Sequence, residues 1–119
     1  RWNAQALQER IRHIHSMRSR IEVSCVDAVD LLENSAYWDE RSTCFIDPPY
    51  VAKGKDLYRC WYEEEDHEQL AMVIQMLYQG MPGADIVITY DDCPLIREIY
   101  PYAEVAVVPR NYSIWQASA

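Results

Sequence analysis

The chain has little glycine, three residues in 119, and a single phenylalanine. With half of its residues apolar and no low-complexity stretch, the composition is that of one globular domain rather than of a disordered chain. No apolar run approaches the ~20 residues needed to span a bilayer. The opening Arg1-Trp2-Asn3-Ala4 lacks the basic-then-apolar order of a signal segment. An initiator methionine is missing as well, which predicts a fragment of a longer protein. Positive charge is scarce: 11 basic residues face 19 acidic ones, for a net charge of −8. A broad nucleic-acid footprint should be basic, so this balance argues against one on the chain itself. No two of Cys25, Cys44, Cys60 and Cys93 are spaced C-x-x-C. Cys25 and Cys44 lie in strand-like apolar runs, so buried, reduced thiols of a cytoplasmic protein are expected, not a disulfide framework.

What is present reads as strands alternating with helices. Leu7, Ile11, Ile14 and Met17 recur at helical spacing and predict a helix over Trp2 to Arg18. The stretch Arg1 to Arg20 holds five of the basic residues: Arg1, Arg10, Arg12, Arg18 and Arg20. They read as a solvated helix surface. Ile21 to Cys25 alternates like a strand, and a short helix from Asp27 through Leu32 follows. Thr43 to Ile46 is a short continuous apolar strand of the kind buried in a parallel sheet. Asp47 to Glu64 has no clear period, and so long a loop is expected to carry function or to move. Glu65 to Gln79 is the best-marked helix. Acids open it, Leu70, Val73, Ile74 and Leu77 form its stripe, and Gly80 stops it. Asp85 to Thr89 reads as another strand, Pro94 to Tyr100 as a short helix, and Ala103 to Val108 as a final strand. The order predicts an α/β domain over 1–119 with a mostly parallel sheet flanked by helices. Ligands in such sheets bind beyond the carboxyl ends of the strands. Asp27, Asp47 to Tyr50, and Tyr90 to Asp92 are all expected there.

The segment most charged with chemistry is Asp47-Pro48-Pro49-Tyr50, directly after the Thr43 strand. Pro48 and Pro49 fix φ and lack an N–H, so this backbone cannot continue a ladder. Its carbonyls remain free to accept hydrogen bonds from something else. A rigid acceptor pair beside an aromatic ring suits a planar molecule with an exocyclic NH2. The lone pair of such an amine is delocalised into its ring. Two acceptors on its hydrogens, the Asp47 carboxylate and the Pro48 carbonyl, favour a more tetrahedral and more nucleophilic nitrogen. Tyr50 can stack on the ring, and the charge of Asp47 favours the positive charge that builds on nitrogen.

Asp47-Pro48-Pro49-Tyr50 resembles motif IV of the amino-methyltransferases. Downstream, Tyr58, Tyr62, Asp66-His67 and Leu70-Ala71 look like the pattern that follows motif IV in the D12, Dam-like class of DNA adenine-N6 methyltransferases. Ile88-Thr89-Tyr90-Asp91-Asp92 with Ile96 and Tyr100 looks like the next strand and helix of that class, and Asn111-Tyr112-Ser113-Ile114 like its late strand. Ile21 to Asp27 resembles the strand before motif IV. The resemblance implies a partial Rossmann-like methyltransferase sheet and S-adenosylmethionine as methyl donor. It implies DNA adenine as substrate, flipped out of the stack, with Asp47, Pro48, Pro49 and Tyr50 as the catalytic segment. It further implies Asp27, Asp47 and Tyr58 near the cofactor, no metal, and a setting such as restriction-modification.

The family's glycine-rich motif I, of the F-x-G-x-G type, is missing, as is the basic target-recognition segment. Gly54, Gly80 and Gly83 do not follow a strand and open a helix. The chain therefore resembles the catalytic-motif portion of such an enzyme, with DNA read by a segment elsewhere. In the family's sheet two further strands separate the Ile21 and Thr43 strands. Their absence leaves an open edge, so either these two strands pair directly or a homo-oligomer covers the gap.

Other readings stand beside these. Asp27 could equally be the N-cap of the following helix, and Tyr58 and Tyr62 could be packing aromatics. His67, in a first helical turn, reads as a capping or surface residue. His13 and His15 are two apart on a helix and face different ways, a poor metal pair. Asp91 and Asp92 read as capping or turn acids rather than cation ligands. Trp38, Trp61 and Trp115 read as core. The chain as a whole could also be a non-catalytic remnant or interaction module, or an amino-methyltransferase with another acceptor, such as cytosine N4 or RNA adenine.

Overall fold

The computed structural model describes residues 2–34, 36–57 and 59–109. Asn3 caps the first helix, α1 (Ala4–Ser16), by accepting from the Ala6 N–H at 3.1 Å. A 3-10 turn at Arg18–Arg20 follows. The carboxylate of Asp27 begins α2 (Ala28–Glu33), accepting from the amides of Val29 and Asp30. Next come β1 (Thr43–Ile46), a one-turn helix α3 (Gly54–Leu57), and the long α4 (Glu64–Gly80). Glu64, Glu65 and Asp66 place negative charge at the positive end of the α4 dipole. Asp66 also reaches back to the Glu63 N–H at 2.8 Å. Gly80 ends this helix without a positive φ, and the Met81 N–H closes it on the Leu77 carbonyl. β2 (Asp85–Ile88) and α5 (Pro94–Ile99), with proline in its first turn, complete the described elements.

β1 and β2 form a two-stranded parallel sheet, with Thr43 opposite Asp85 and Ile46 opposite Ile88. Pleating turns Cys44, Ile46, Ile86 and Ile88 to one side of it and Phe45 and Val87 to the other. On the first side Leu70, Ala71, Val73 and Ile74 of α4 pack with Leu32 of α2, with Tyr100, and with the isoleucines of the sheet. This is the core, and the helical stripe read from the sequence is its centre. On the second side Phe45 stays 68 % exposed. The Thr43 strand was expected to be buried in a parallel sheet; the sheet is parallel, and described residues cover one of its faces.

Three expectations are corrected. Ile21 to Cys25 is not a strand but unpaired chain, with Val23 89 % exposed. It does not pair with β1, whose partner is β2. Alternation alone cannot hold a strand that finds no ladder partner. Ala103 to Val108 also makes no ladder, and Val105, Val107 and Val108 are exposed. The Cys25 thiol is exposed with its segment; all four cysteines are free, and Cys44 is buried. No described helix is long and apolar enough to cross a membrane. α1 buries none of its residues, so its apolar stripe faces outward.

Candidate active site

β1 and β2 run in the same direction and in register, so their carboxyl ends stop side by side. The register continues one step beyond the sheet: the Thr89 N–H donates to the Ile46 carbonyl at 3.0 Å. Asp47 and Thr89 are thereby brought level. The Thr89 hydroxyl donates to Asp47 Oδ1 at 2.7 Å. Asp47 Oδ2 receives no hydrogen bond from a described residue. Pro48 is buried and begins the turn. No described backbone N–H donates to its carbonyl, the acceptor expected from the two prolines.

The turn is tied down from the opposite strand end. Asp91 Oδ1 accepts from the Val51 N–H and Asp91 Oδ2 from the Ala52 N–H, both at 2.9 Å. These are charge-assisted bonds to two consecutive amides, among the stronger hydrogen bonds a protein makes. Asp92 is directed elsewhere, pairing with Arg97 of α5 at 2.9 Å. Asp91 and Asp92 were expected to cap a helix or close a local turn, and do neither: Asp91 braces the Asp-Pro-Pro-Tyr turn and Asp92 pairs with Arg97.

Asp47 and Tyr50 line a cleft of about 640 Å³ together with Thr89, Tyr90, Asp91 and the 103–108 segment. That volume lies within the ~300–1,000 Å³ usual for small-molecule sites. Two of the three clusters expected at the strand ends therefore share one cavity. Asp27 is not among its walls; its carboxylate caps α2. Tyr58 and the Asn111 to Ile114 stretch, with Trp115, lie outside the described residues.

Behind the cleft runs an aromatic column. His67 is 1 % exposed, not a surface residue as its position in the first helical turn suggested. Its Nδ1 is hydrogen-bonded to the Tyr90 hydroxyl at 2.8 Å, and Nε2 has no partner among the described residues. Tyr62 and Tyr90 meet the imidazole edge-on. Tyr90 continues to Tyr100, and Tyr100 to Tyr102, whose hydroxyl donates to the Ala71 carbonyl. Tyr62 thus has the packing role. Burial pushes the Tyr90 hydroxyl far up and those of Tyr100 and Tyr102 up to about 12. Burial also raises Tyr62, with the charges of Asp27 and Asp66 adding to it. Desolvation lowers His67 below the ordinary imidazole value, against the opposing pull of Asp91 and Asp66. The column is therefore neutral near pH 7. Trp38 packs on the core and donates to the Leu31 carbonyl. Trp61 is 45 % exposed rather than core, and donates to Glu63. Among the described residues no cluster of histidine, cysteine or acid is arranged to hold a metal.

The chain matches no protein-family model, no curated protein and no solved structure. Thr89, and Asp91 as a brace for the turn, were missed in the sequence as site residues. A signal was there: Asp47 and Thr89 each follow directly on a four-residue apolar or β-branched strand, so parallel pairing sets them side by side.

Proposed function

We propose that this chain supplies the acceptor-base side of a DNA adenine-N6 methyltransferase of the D12, Dam-like kind. The observation that carries the reading is the orientation of Asp47 at the end of β1. One carboxylate oxygen is engaged by Thr89, while the other, and the Pro48 carbonyl, accept from no described residue. These are the two acceptors that an exocyclic amine needs to become nucleophilic. Tyr50 lies in the same cleft and would stack on the flipped adenine. The carboxylate would stabilise the positive charge developing on N6, and the two acceptors would hold the amine hydrogens.

The methyl donor implied by the resemblance is S-adenosylmethionine, which supplies an electrophilic methyl group. The described residues do not build a cradle for it. Gly54 opens α3 well past β1, Gly80 ends α4, and a Cβ on Gly83 would meet Glu40 at 3.2 Å. Asp27 is occupied in capping α2. Donor binding is accordingly assigned to residues other than these, and DNA reading to a basic segment that this acidic chain does not carry.

The test is transfer of labelled methyl groups from S-adenosylmethionine to duplex DNA. It is run with the 119-residue chain and with any longer protein that contains it, using adenine-free duplex as the control. Asp47→Ala should lower adenine methylation at least about 100-fold while the circular dichroism spectrum is unchanged. Full activity in that variant, or methylation of the adenine-free duplex, would sink the reading. Calorimetric titration with S-adenosylmethionine locates the donor site: no heat from the chain alone, and binding by the longer protein, is expected.

A further inference from the structure

We infer that Thr89 and Asp91 are positioning residues for methyl transfer, forming a bracket on β2 that aims the Asp-Pro-Pro-Tyr turn; this rests on the reading just given. Both come from the strand end opposite the turn, and each meets a different part of it. Thr89 holds Asp47 Oδ1 at 2.7 Å. A carboxylate whose two oxygens are equivalent by rotation about χ2 is thereby given a defined outer oxygen, Oδ2. Asp91 holds the amides of Val51 and Ala52, the two residues directly after Tyr50. That fixes where the turn leaves the cleft, and with it the backbone that carries the stacking ring. Tyr90, between them, is anchored to His67 of α4. The bracket therefore cannot slide along the strand without breaking a part-buried hydrogen bond.

None of these groups needs to touch the reacting atoms. Their contribution is geometric: two acceptors and a ring held where the amine must sit. An error of about 1 Å in such an arrangement costs roughly 100-fold in rate. Loss of aim should fall on kcat, because the cleft and its stacking ring persist.

The experiment compares wild type, Thr89→Val, Thr89→Ser, Asp91→Ala and Asp91→Asn in the methylation assay, with amide exchange followed by NMR on the same proteins. Thr89→Val should lower kcat about 10-fold to 100-fold with KM within about 2-fold, and Thr89→Ser should restore it to within about 3-fold. Thr89→Val keeps the shape of the side chain and removes only its donor, so Ser rescue separates aim from packing. Asp91→Ala should accelerate exchange at Val51 and Ala52 selectively and lower kcat to a similar extent. Asp91→Asn, which keeps one acceptor oxygen, should fall between Asp91→Ala and wild type. Wild-type transfer that Thr89→Val leaves unchanged overturns the bracket alone. So does unchanged exchange at Val51 and Ala52 in Asp91→Ala. No transfer by wild type from any protein containing the chain overturns the functional reading, and the inference with it.

Discussion

Removing one hydroxyl from the aromatic column tests the bond that ties His67 to Tyr90. Tyr90→Phe keeps the ring and its edge-on contact with His67, deletes the bond to Nδ1, and removes the hydroxyl that also faces the Tyr100 hydroxyl. His67 is 1 % exposed and its Nε2 already lacks a partner among the described residues, so the variant leaves neither ring nitrogen a partner there. Leaving a buried polar group unsatisfied costs about 1–3 kcal/mol. Nothing apolar is lost to offset or enlarge that figure. For a domain of this length such a loss corresponds to roughly 3–6 °C in Tm per kcal/mol. Urea unfolding followed by tryptophan fluorescence measures it. A double-mutant cycle with His67→Leu then isolates the pair, with an expected coupling of about 1–2 kcal/mol. In the His67→Leu background Tyr90→Phe should cost much less, because no imidazole remains to be stranded. A Tyr90→Phe variant within about 0.3 kcal/mol of wild type, or strict additivity in the cycle, would refute the stranded-imidazole reasoning.

The same histidine gives a pH prediction. Burial holds its folded-state pKa below the unfolded one, so the unfolded chain takes up the proton first. The contribution is complete above about 6.5 and is lost as pH falls from there toward the folded value, with a slope of at most ~1.4 kcal/mol per pH unit. Wild type should therefore lose more stability than His67→Leu between pH 7.5 and 5.5, and parallel profiles would contradict this. Ile74→Ala, at a position 2 % exposed in the core, should cost about 2–5 kcal/mol by chemical denaturation. Asp27→Ala removes the cap of α2 and should cost about 1 kcal/mol; a neutral result would mean that water replaces the carboxylate.

Local and periodic signals were the legible part of the fold. The stripe Leu70, Val73, Ile74 and Leu77 declared α4 because a long amphipathic helix repeats its message over several turns. Pro94 placed the start of α5, and Asp27 as a cap was visible from its residue type. The segment Ile21 to Cys25 was not, since alternation describes how a strand would present its faces but says nothing of a neighbour to pair with. The exposed valines at 105, 107 and 108 are the same case. In the candidate site, Asp47 and the proline pair stood out in the sequence because the chemistry they suggest is local. His67 could not be read as buried, since only the tertiary approach of Tyr62 and Tyr90 encloses it. Thr89 and Asp91 became site residues through the register of a sheet, a long-range quantity that no local window contains.

The in-register parallel pairing of β1 with β2 also dictates when the site comes into being. Parallel strands cannot be joined by a tight turn, so α3, α4 and their loops must be threaded between them. The hydrogen bond between Asp47 and Thr89 spans 42 residues. Closing a flexible loop of that length costs ~3 kcal/mol of chain entropy before any contact forms. Such non-local contacts form slowly, and later than helices do. A nascent chain with α4 already wound still carries Asp47 with no fixed direction. A strand slipped by one residue would turn Phe45 inward and Cys44 outward, and would leave Thr89 out of line with the carboxylate. An aimed Asp47 is thus a marker of the fully paired sheet, and the rate at which the site appears after refolding should follow the slowest folding phase rather than helix formation.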